Sequence, residues 1–192
     1  AGMNEILVHV RFRSPNSRWY SGAGIYRDVI YREQPACHIA PDGIYVHTER
    51  RADHWLMWVD TEIVGDREGM PLVHRLIDAD GSCIAEGEAE LKVVSPRLWS
   101  PEEPNLYEFT VVCGEDRVES YFAIRTIETK VVDGIPRLCL NGKPYFFHGL
   151  LDQGYFSDGI FTPASPTGYE RDIKAMKALG FNTLRKNIKV EP

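Results

Sequence analysis

Residues 107–113 read YEFTVVC, which puts Tyr107, Phe109, Val111 and Cys113 on one side of an extended chain. A period of two is that of a strand with one face buried. The run WLMWVDTEIV (55–64) repeats it, with Trp55, Met57, Val59 and Ile63 of one parity and Trp58, Asp60 and Glu62 of the other. Between these runs, LVHRLI and SCIAEG flank Asp78-Ala79-Asp80-Gly81, the composition of a hairpin turn in which Gly81 takes a positive φ without steric cost. From Ile25 to Glu128 short alternating runs recur between Gly, Pro, Asp and Asn, about seven strands in ~100 residues. An immunoglobulin-like antiparallel β-sandwich is the expected fold of this stretch.

Outward from it, the pattern changes on both sides. Residues 5–13 alternate Ile6, Val8, Val10 and Phe12 with His9, Arg11 and Arg13, which predicts a strand, and 14–24 (SPNSRWYSGAG) read as a surface connection. Residues 131–144 (VVDGIPRLCLNGKP) predict a small hairpin, and YFFHGLL (145–151) a strand covered on both faces, as in a parallel sheet. Thr167 and Glu170 have capping-box spacing, and Tyr169, Ile173, Met176 and Leu179 repeat at helical steps up to Gly180. A second strand is expected in FNTLRKNIKV (181–190), completing a strand–helix–strand unit. Such a unit needs the rest of a sheet to cover it, so it reads as the first portion of a larger α/β domain, truncated. The fold class expected is therefore mainly β, a sandwich followed by a truncated β-α-β start.

The chain has 192 residues, 43% of them hydrophobic and 26% charged, which is ordinary globular usage. That length does not hold a sandwich together with a complete (β/α)8 barrel, which takes about 250 residues. Twenty-two Lys and Arg against 28 Asp and Glu give a net charge of −6, with the basic residues scattered, so nucleic acid is not an expected partner. No stretch approaches the ~18 apolar residues of a membrane span, so no membrane partner is expected either. Residues 1–10 have no signal-peptide pattern, and the start looks cut. Cys37, Cys83, Cys113 and Cys139 are isolated and read as buried small hydrophobes, which favours a reducing, cytoplasmic setting. The six histidines have no metal-ligand spacing and there is no Gly-rich phosphate loop, so no metal and no cofactor are expected.

Five strings in order carry a resemblance: RWYSGAGIYRDV (18–29), LWSPEEPNLYEFTV (98–111), YFAIRTIE (121–128), LNGKPYFFHGLLDQGYFSDG (140–159) and DIKAMKALGFNTLRKNIKVEP (172–192). Together they resemble family 2 of the glycoside hydrolases, the β-galactosidases, β-glucuronidases and β-mannosidases. The resemblance implies the last strand of an N-terminal sugar-binding jelly roll and a connection in residues 1–23. It implies the immunoglobulin-like sandwich in 24–127 and the beginning of a catalytic (β/α)8 barrel in 128–192. Ala123 stands where the family usually has glycine, and Asn187 where close relatives usually show histidine. Asn187 keeps hydrogen-bonding capacity but cannot take a positive charge.

The implied activity is retaining, exo-acting hydrolysis of a terminal β-linked sugar, so a carbohydrate is the partner of the whole enzyme. The family's two catalytic glutamates lie at the ends of the fourth and seventh barrel strands, beyond residue 192. No residue here is therefore a catalytic candidate, Glu191 and Asp152 included, and the 192 residues alone are expected to be inactive. Arg185 matches the family's active-site arginine, which would orient the nucleophilic carboxylate, or else it makes a structural ion pair. Asp152 and Gln153 would hydrogen-bond sugar hydroxyls, or else cap the first strand. Asn187 shares the parity of Arg185 and completes the substrate-binding set. Arg18, Trp19, Tyr20, Tyr26, Arg27 and Asp28 read as packing at a junction, with a sugar platform as the other reading. Trp58, opposite the core face, is either a surface stacking residue or the cover of an interface. The rival to the enzyme reading is a non-catalytic immunoglobulin-like binding module. The strands at 145–151 and 181–190 are expected to leave open edges, which self-association would cover.

Overall fold

The structure, a computed structural model, describes residues 3–13 and 23–187. It divides into two compact units, one of residues 32–147 and one of the residues up to Tyr31 together with those from His148.

The first unit contains β1 (His38–Arg50), β2 (Trp55–Val64), β3 (Leu72–Ile77), β4 (Cys83–Gly87), β5 (Glu90–Val93), β6 (Tyr107–Cys113) and β7 (Asp116–Phe122). They form two antiparallel sheets, ordered β1-β2-β5 and β4-β3-β6-β7. The chain changes sheet between β2 and β3, between β4 and β5 and between β5 and β6, the connectivity of a seven-stranded immunoglobulin-like sandwich. Alternation decides which side chains meet. Trp55, Met57, Leu91 and Val93 from one sheet close on Leu76, Phe109, Val111 and Cys113 from the other, all buried. Fully burying side chains of this size is worth about 1.5–3 kcal/mol each before chain entropy is counted.

Tyr107 opens β6 with its ring buried, and its hydroxyl accepts a 2.7 Å hydrogen bond from the Arg97 backbone N–H ten residues upstream. This is the tyrosine corner of immunoglobulin-like domains, and it ties the long connection before β6 to the sandwich. The Arg97 guanidinium lies over the Tyr107 ring, 5.9 Å from its centre, and pairs with Asp78 at the end of the expected hairpin turn. Gly81 in that turn has φ 84°, as the composition requires.

One polar side chain is sealed into the core. His74 on β3 is 1% exposed, stacks on Phe109 at 6.1 Å, and its Nε2 shares a 3.2 Å hydrogen bond with Thr61 Oγ1 on the facing sheet. Its Nδ1 reaches no partner in hydrogen-bonding geometry, although the Gly87 and Glu88 backbone groups lie near enough to favour the protonated ring. Burial outweighs them and holds His74 below the ordinary histidine pKa, so the ring is neutral in the folded protein.

Two departures from the expected pattern fall in this unit. The β1–β2 register slips between Ile39 and Ile44, where Ala40-Pro41-Asp42-Gly43 bulge out opposite Glu62. Asp42 takes φ 60° there, and a Cβ on Gly43 would lie 2.8 Å from that of Ala40, so glycine is required. The cysteines are only partly the buried hydrophobes expected. All four are free, and Cys113 and Cys139 are buried, but Cys83 is exposed and Cys37 half-buried, because β4 is an edge strand and Cys37 precedes β1. Burial, and then the neighbouring Cys37 thiol, push the Cys113 thiol pKa up, which keeps it unreactive.

The expected hairpin is a three-stranded meander, β8 (Ile127–Val132), β9 (Ile135–Leu140) and β10 (Lys143–Pro144). Its turns are Asp133-Gly134 and Asn141-Gly142, both residues of each at positive φ, as type I′ turns demand. Asn141 also binds backbone: its Oδ1 accepts from Thr126 N–H at 3.1 Å and its Nδ2 donates to the Trp99 carbonyl at 2.9 Å. Those bonds hold the meander in the same compact unit as the sandwich, a unit that extends to Phe147.

The second unit carries β11 (Gly149–Asp152), α1 (Thr167–Ala178) and β12 (Thr183–Lys186). The two strands pair in parallel with each other alone among the described residues. Helix α1 ends as expected, in a Schellman motif at Gly180 (φ 88°), with Phe181 N–H donating to the Met176 carbonyl and Gly180 N–H to that of Lys177. Its start differs from the expected capping box. Pro166 occupies the N-cap with no side-chain cap, and Thr167 is already helical, its hydroxyl engaged with Ser165 Oγ at 2.5 Å. Proline fixes φ near its helical value, and backbone carbonyls take the first N–H groups, Gly168 donating to Ser165 at 3.0 Å and Tyr169 to Pro166 at 3.1 Å. Residues 3–13 form no strand, since alternation makes a ladder only beside a partner, and Ile6, Val8, Val10 and Phe12 are exposed.

Two measurements check these roles. Tyr107→Phe leaves the Arg97 N–H without its acceptor and should lower unfolding free energy by about 1–2 kcal/mol with the sandwich otherwise intact. His74 binds its proton more weakly folded than unfolded. Its stabilising effect is therefore complete above the ordinary histidine pKa of about 6.5 and is lost as pH falls below it. Thermal unfolding between pH 8 and pH 5 should accordingly fall less steeply for His74→Leu than for the wild type.

Candidate functional site

The expected binding set lies at the C-terminal ends of the two parallel strands. Register pairs Leu151 with Arg185 and Asp152 with Lys186. Side chains of paired residues share a face and successive ones alternate, so Asp152 and Lys186 lie on one side of the sheet and Leu151 and Arg185 on the other. Gly149 permits the pairing, because a Cβ there would stand 2.8 Å from the Thr183 carbonyl oxygen. Asn182 starts it, its Oδ1 accepting the His148 N–H at 2.9 Å while its own backbone N–H donates to the His148 carbonyl.

Asp152 is doubly engaged. Its Oδ2 accepts a 2.7 Å charge-assisted hydrogen bond from Lys186 Nζ, and its Oδ1 accepts the Gly154 N–H at 2.8 Å. Both side chains of the ion pair are less than one-third exposed. Asp152 thus closes the strand end as a cap, and the lysine fills the place of a charge partner that parity alone had not suggested. A register between two strands 30 residues apart is what brings Lys186 opposite, and no local pattern states it. Asn187 extends the ladder by donating its N–H to the Asp152 carbonyl at 2.9 Å. Gln153 is half-buried just beyond β11, and Arg185 is exposed. The structure therefore brings Asp152, Gln153, Lys186 and Asn187 to the ends of the two strands, with Asp152 and Lys186 on one face of the sheet and Arg185 on the other.

The loop after β11 is stiffened. Phe156 and Ile160 exchange backbone hydrogen bonds of 2.9 and 2.8 Å, and Ile160 is held at φ 63°, costly for a β-branched residue. A Cβ on Gly159 would lie 2.0 Å from the Thr162 carbonyl oxygen. Tyr26 packs on Phe161 at 5.3 Å, with Thr162 Oγ1 donating to the Tyr26 carbonyl, so this member of the 18–28 cluster does serve packing. Arg18, Trp19 and Tyr20 lie outside the described residues, as does Glu191. Among the described residues no three His, Cys, Asp or Glu side chains come together as a metal site would need.

On the other unit, Trp58 lies on the outer face of the β1-β2-β5 sheet. The His47 ring stacks on it at 4.7 Å and 5°, Tyr45 meets His47 edge-on at 4.6 Å, and Asp60 Oδ2 bonds His47 Nε2 at 2.7 Å.

Residues 61–125 match the family model of Glycosyl hydrolases family 2. The chain is 31% identical over 209 residues to a β-galactosidase of Bacteroides ovatus, covering 95% of this chain and 24% of that protein. It is 29% identical over 202 residues to a putative β-glucuronidase of Formosa agariphila, covering 96% of this chain and 19% of that one. The chain thus spans about a fifth to a quarter of the length of these relatives. The solved β-glucuronidase of Ruminococcus gnavus shares the fold over 81% of this chain and 27% of its own, with a TM-score of 0.69 at 21% identity. The family model thus matches much of the sandwich and these relatives align with almost the whole chain, so the chain is similar to members of glycosyl hydrolases family 2 along nearly its full length.

Proposed function

We propose that these 192 residues are the immunoglobulin-like sandwich and the first strand, helix and second strand of the catalytic barrel of a retaining β-glycosidase. The observation that carries this reading is the parallel β11–α1–β12 unit directly following the sandwich, within an alignment to β-galactosidase and β-glucuronidase relatives that runs through both. The apolar side chains of that unit support it: Leu151, Ile173 and Leu179 are 54%, 53% and 73% exposed, faces that the remaining strands and helices of a barrel would cover.

In this reading the enzyme acts on a terminal β-linked sugar by two displacements. One carboxylic acid protonates the leaving oxygen while a carboxylate about 5–5.5 Å away attacks the anomeric carbon, and water then releases the sugar with the first residue acting as base. Both groups belong to later barrel strands. The residues here position: Asp152, Gln153 and Asn187 at the strand ends offer hydrogen bonds to the sugar, with Lys186 holding the Asp152 carboxylate in place. Arg185, on the other side of the sheet from Asp152, is the group that would orient the attacking carboxylate.

Hydrolysis of a panel of p-nitrophenyl β-glycosides by the 192-residue chain, beside the full reading frame that carries it, tests this directly. The reading expects turnover by the long polypeptide and none by the chain. Turnover by the chain alone would sink the assignment of the carboxylate pair to later strands. In the long polypeptide Arg185→Ala should lower kcat by about a hundredfold, the scale of a misplaced reacting group, and Asp152→Asn should chiefly raise KM.

A further inference from the structure

We propose that the outer face of the β1-β2-β5 sheet is a second carbohydrate site, a slot for a neutral oligosaccharide in which the C–H face of one pyranose rests on the indole of Trp58. The register sets three side chains in a row across this sheet, His47 on β1, Trp58 on β2 and Glu90 on β5. His47 covers one face of the indole, stacked at 4.7 Å and nearly parallel, and is itself pinned by Asp60 and by the edge-on Tyr45 ring. The indole is therefore held in one orientation before any ligand arrives, which removes part of the entropic cost of binding.

Trp58 also borders a depression of about 330 Å³ lined by Glu49, Arg51, Leu56, Ala89 and Glu90. That volume falls at the lower end of small-molecule sites, about 300–1,000 Å³. The chemistry of the lining selects the ligand class. A flat aromatic surface suits the apolar C–H face of a pyranose. The Glu49 and Glu90 carboxylates accept from hydroxyl groups, and Arg51, paired to Glu49 at 2.8 Å, has further N–H groups to donate. Asp60 and Glu62 add negative charge to the same face, so that with Glu49 and Glu90 the carboxylates outnumber the cations Arg51 and Lys92, the latter opposite Leu56, and a neutral sugar is favoured over an anionic one. The slot lies on the sandwich unit, and its occupancy does not depend on where hydrolysis takes place.

Titration of the 192-residue chain with cellotetraose, followed by tryptophan fluorescence and calorimetry, tests the site. Saturable binding with a Kd of about 1 mM is expected. Trp58→Ala should weaken it at least tenfold and Trp58→Phe should restore part of it. Glu90→Gln, an exposed substitution that leaves the core intact, should weaken it severalfold with unfolding temperature unchanged. Absence of saturation with neutral tetrasaccharides, or equal affinity in the Trp58→Ala and Glu90→Gln variants, would overturn the proposal. Tighter binding of a glucuronate-bearing tetrasaccharide than of a neutral one would overturn the charge argument. Concentration-dependent dimerisation abolished by Trp58→Ala would assign the face to a second copy of the chain instead.

Discussion

Each sheet of the sandwich has one apolar face, and each is stable only while the other covers it. Met57 and Leu91 on one side and Leu76, Phe109 and Val111 on the other are essentially without solvent contact, so the two sheets form one cooperative body. Everything else in the first unit hangs on that closure. The tyrosine corner draws the connection before β6 onto it, Asn141 ties the meander to the loop at Trp99, and the outer face of the β1-β2-β5 sheet is free to carry Tyr45, His47 and Trp58. The sealed His74 bridging to Thr61 carries an ionisable ring into the core, and its neutrality is a consequence of the same closure.

The second unit stands under the opposite condition. A two-stranded parallel pair with one helix has faces that no other described residue of the unit covers, and Leu151, Ile173 and Leu179 remain open. The same fact underlies its functional reading. Strand ends of a parallel sheet are where α/β enzymes collect polar side chains, and Asp152, Gln153, Lys186 and Asn187 gather at such an end.

Much of this was legible from residue order, and all but one of the exceptions share a cause. Alternation in 55–63 and 107–113, the turn at 78–81, the Asn-Gly and Asp-Gly turns and the Schellman end at Gly180 are local features, in which sequence spacing and geometry are the same thing. Missed were the features that depend on what lies opposite. The bulge at 40–43 is a mismatch between two strands, the Asp152–Lys186 pair is a matter of register, and the expected strand at 5–13 had the right alternation but no partner. The capping-box pattern failed for a local reason, because the preceding proline at 166 took the cap position one residue earlier. In the candidate site, the residue types at the strand ends were legible but not their division between two faces, since that follows from pairing Leu151 with Arg185.

The closed sandwich buries its own apolar faces, whereas the strand–helix–strand unit leaves Leu151, Ile173 and Leu179 exposed, so the two should differ in stability. Native-state hydrogen exchange on the 192-residue chain, as a dilute monomer, measures this most directly. Backbone amides of β2, β3 and β6 should open only with global unfolding, and those of 149–152 and 183–186 should exchange at much lower free energy. Equal protection in both sets would contradict the account.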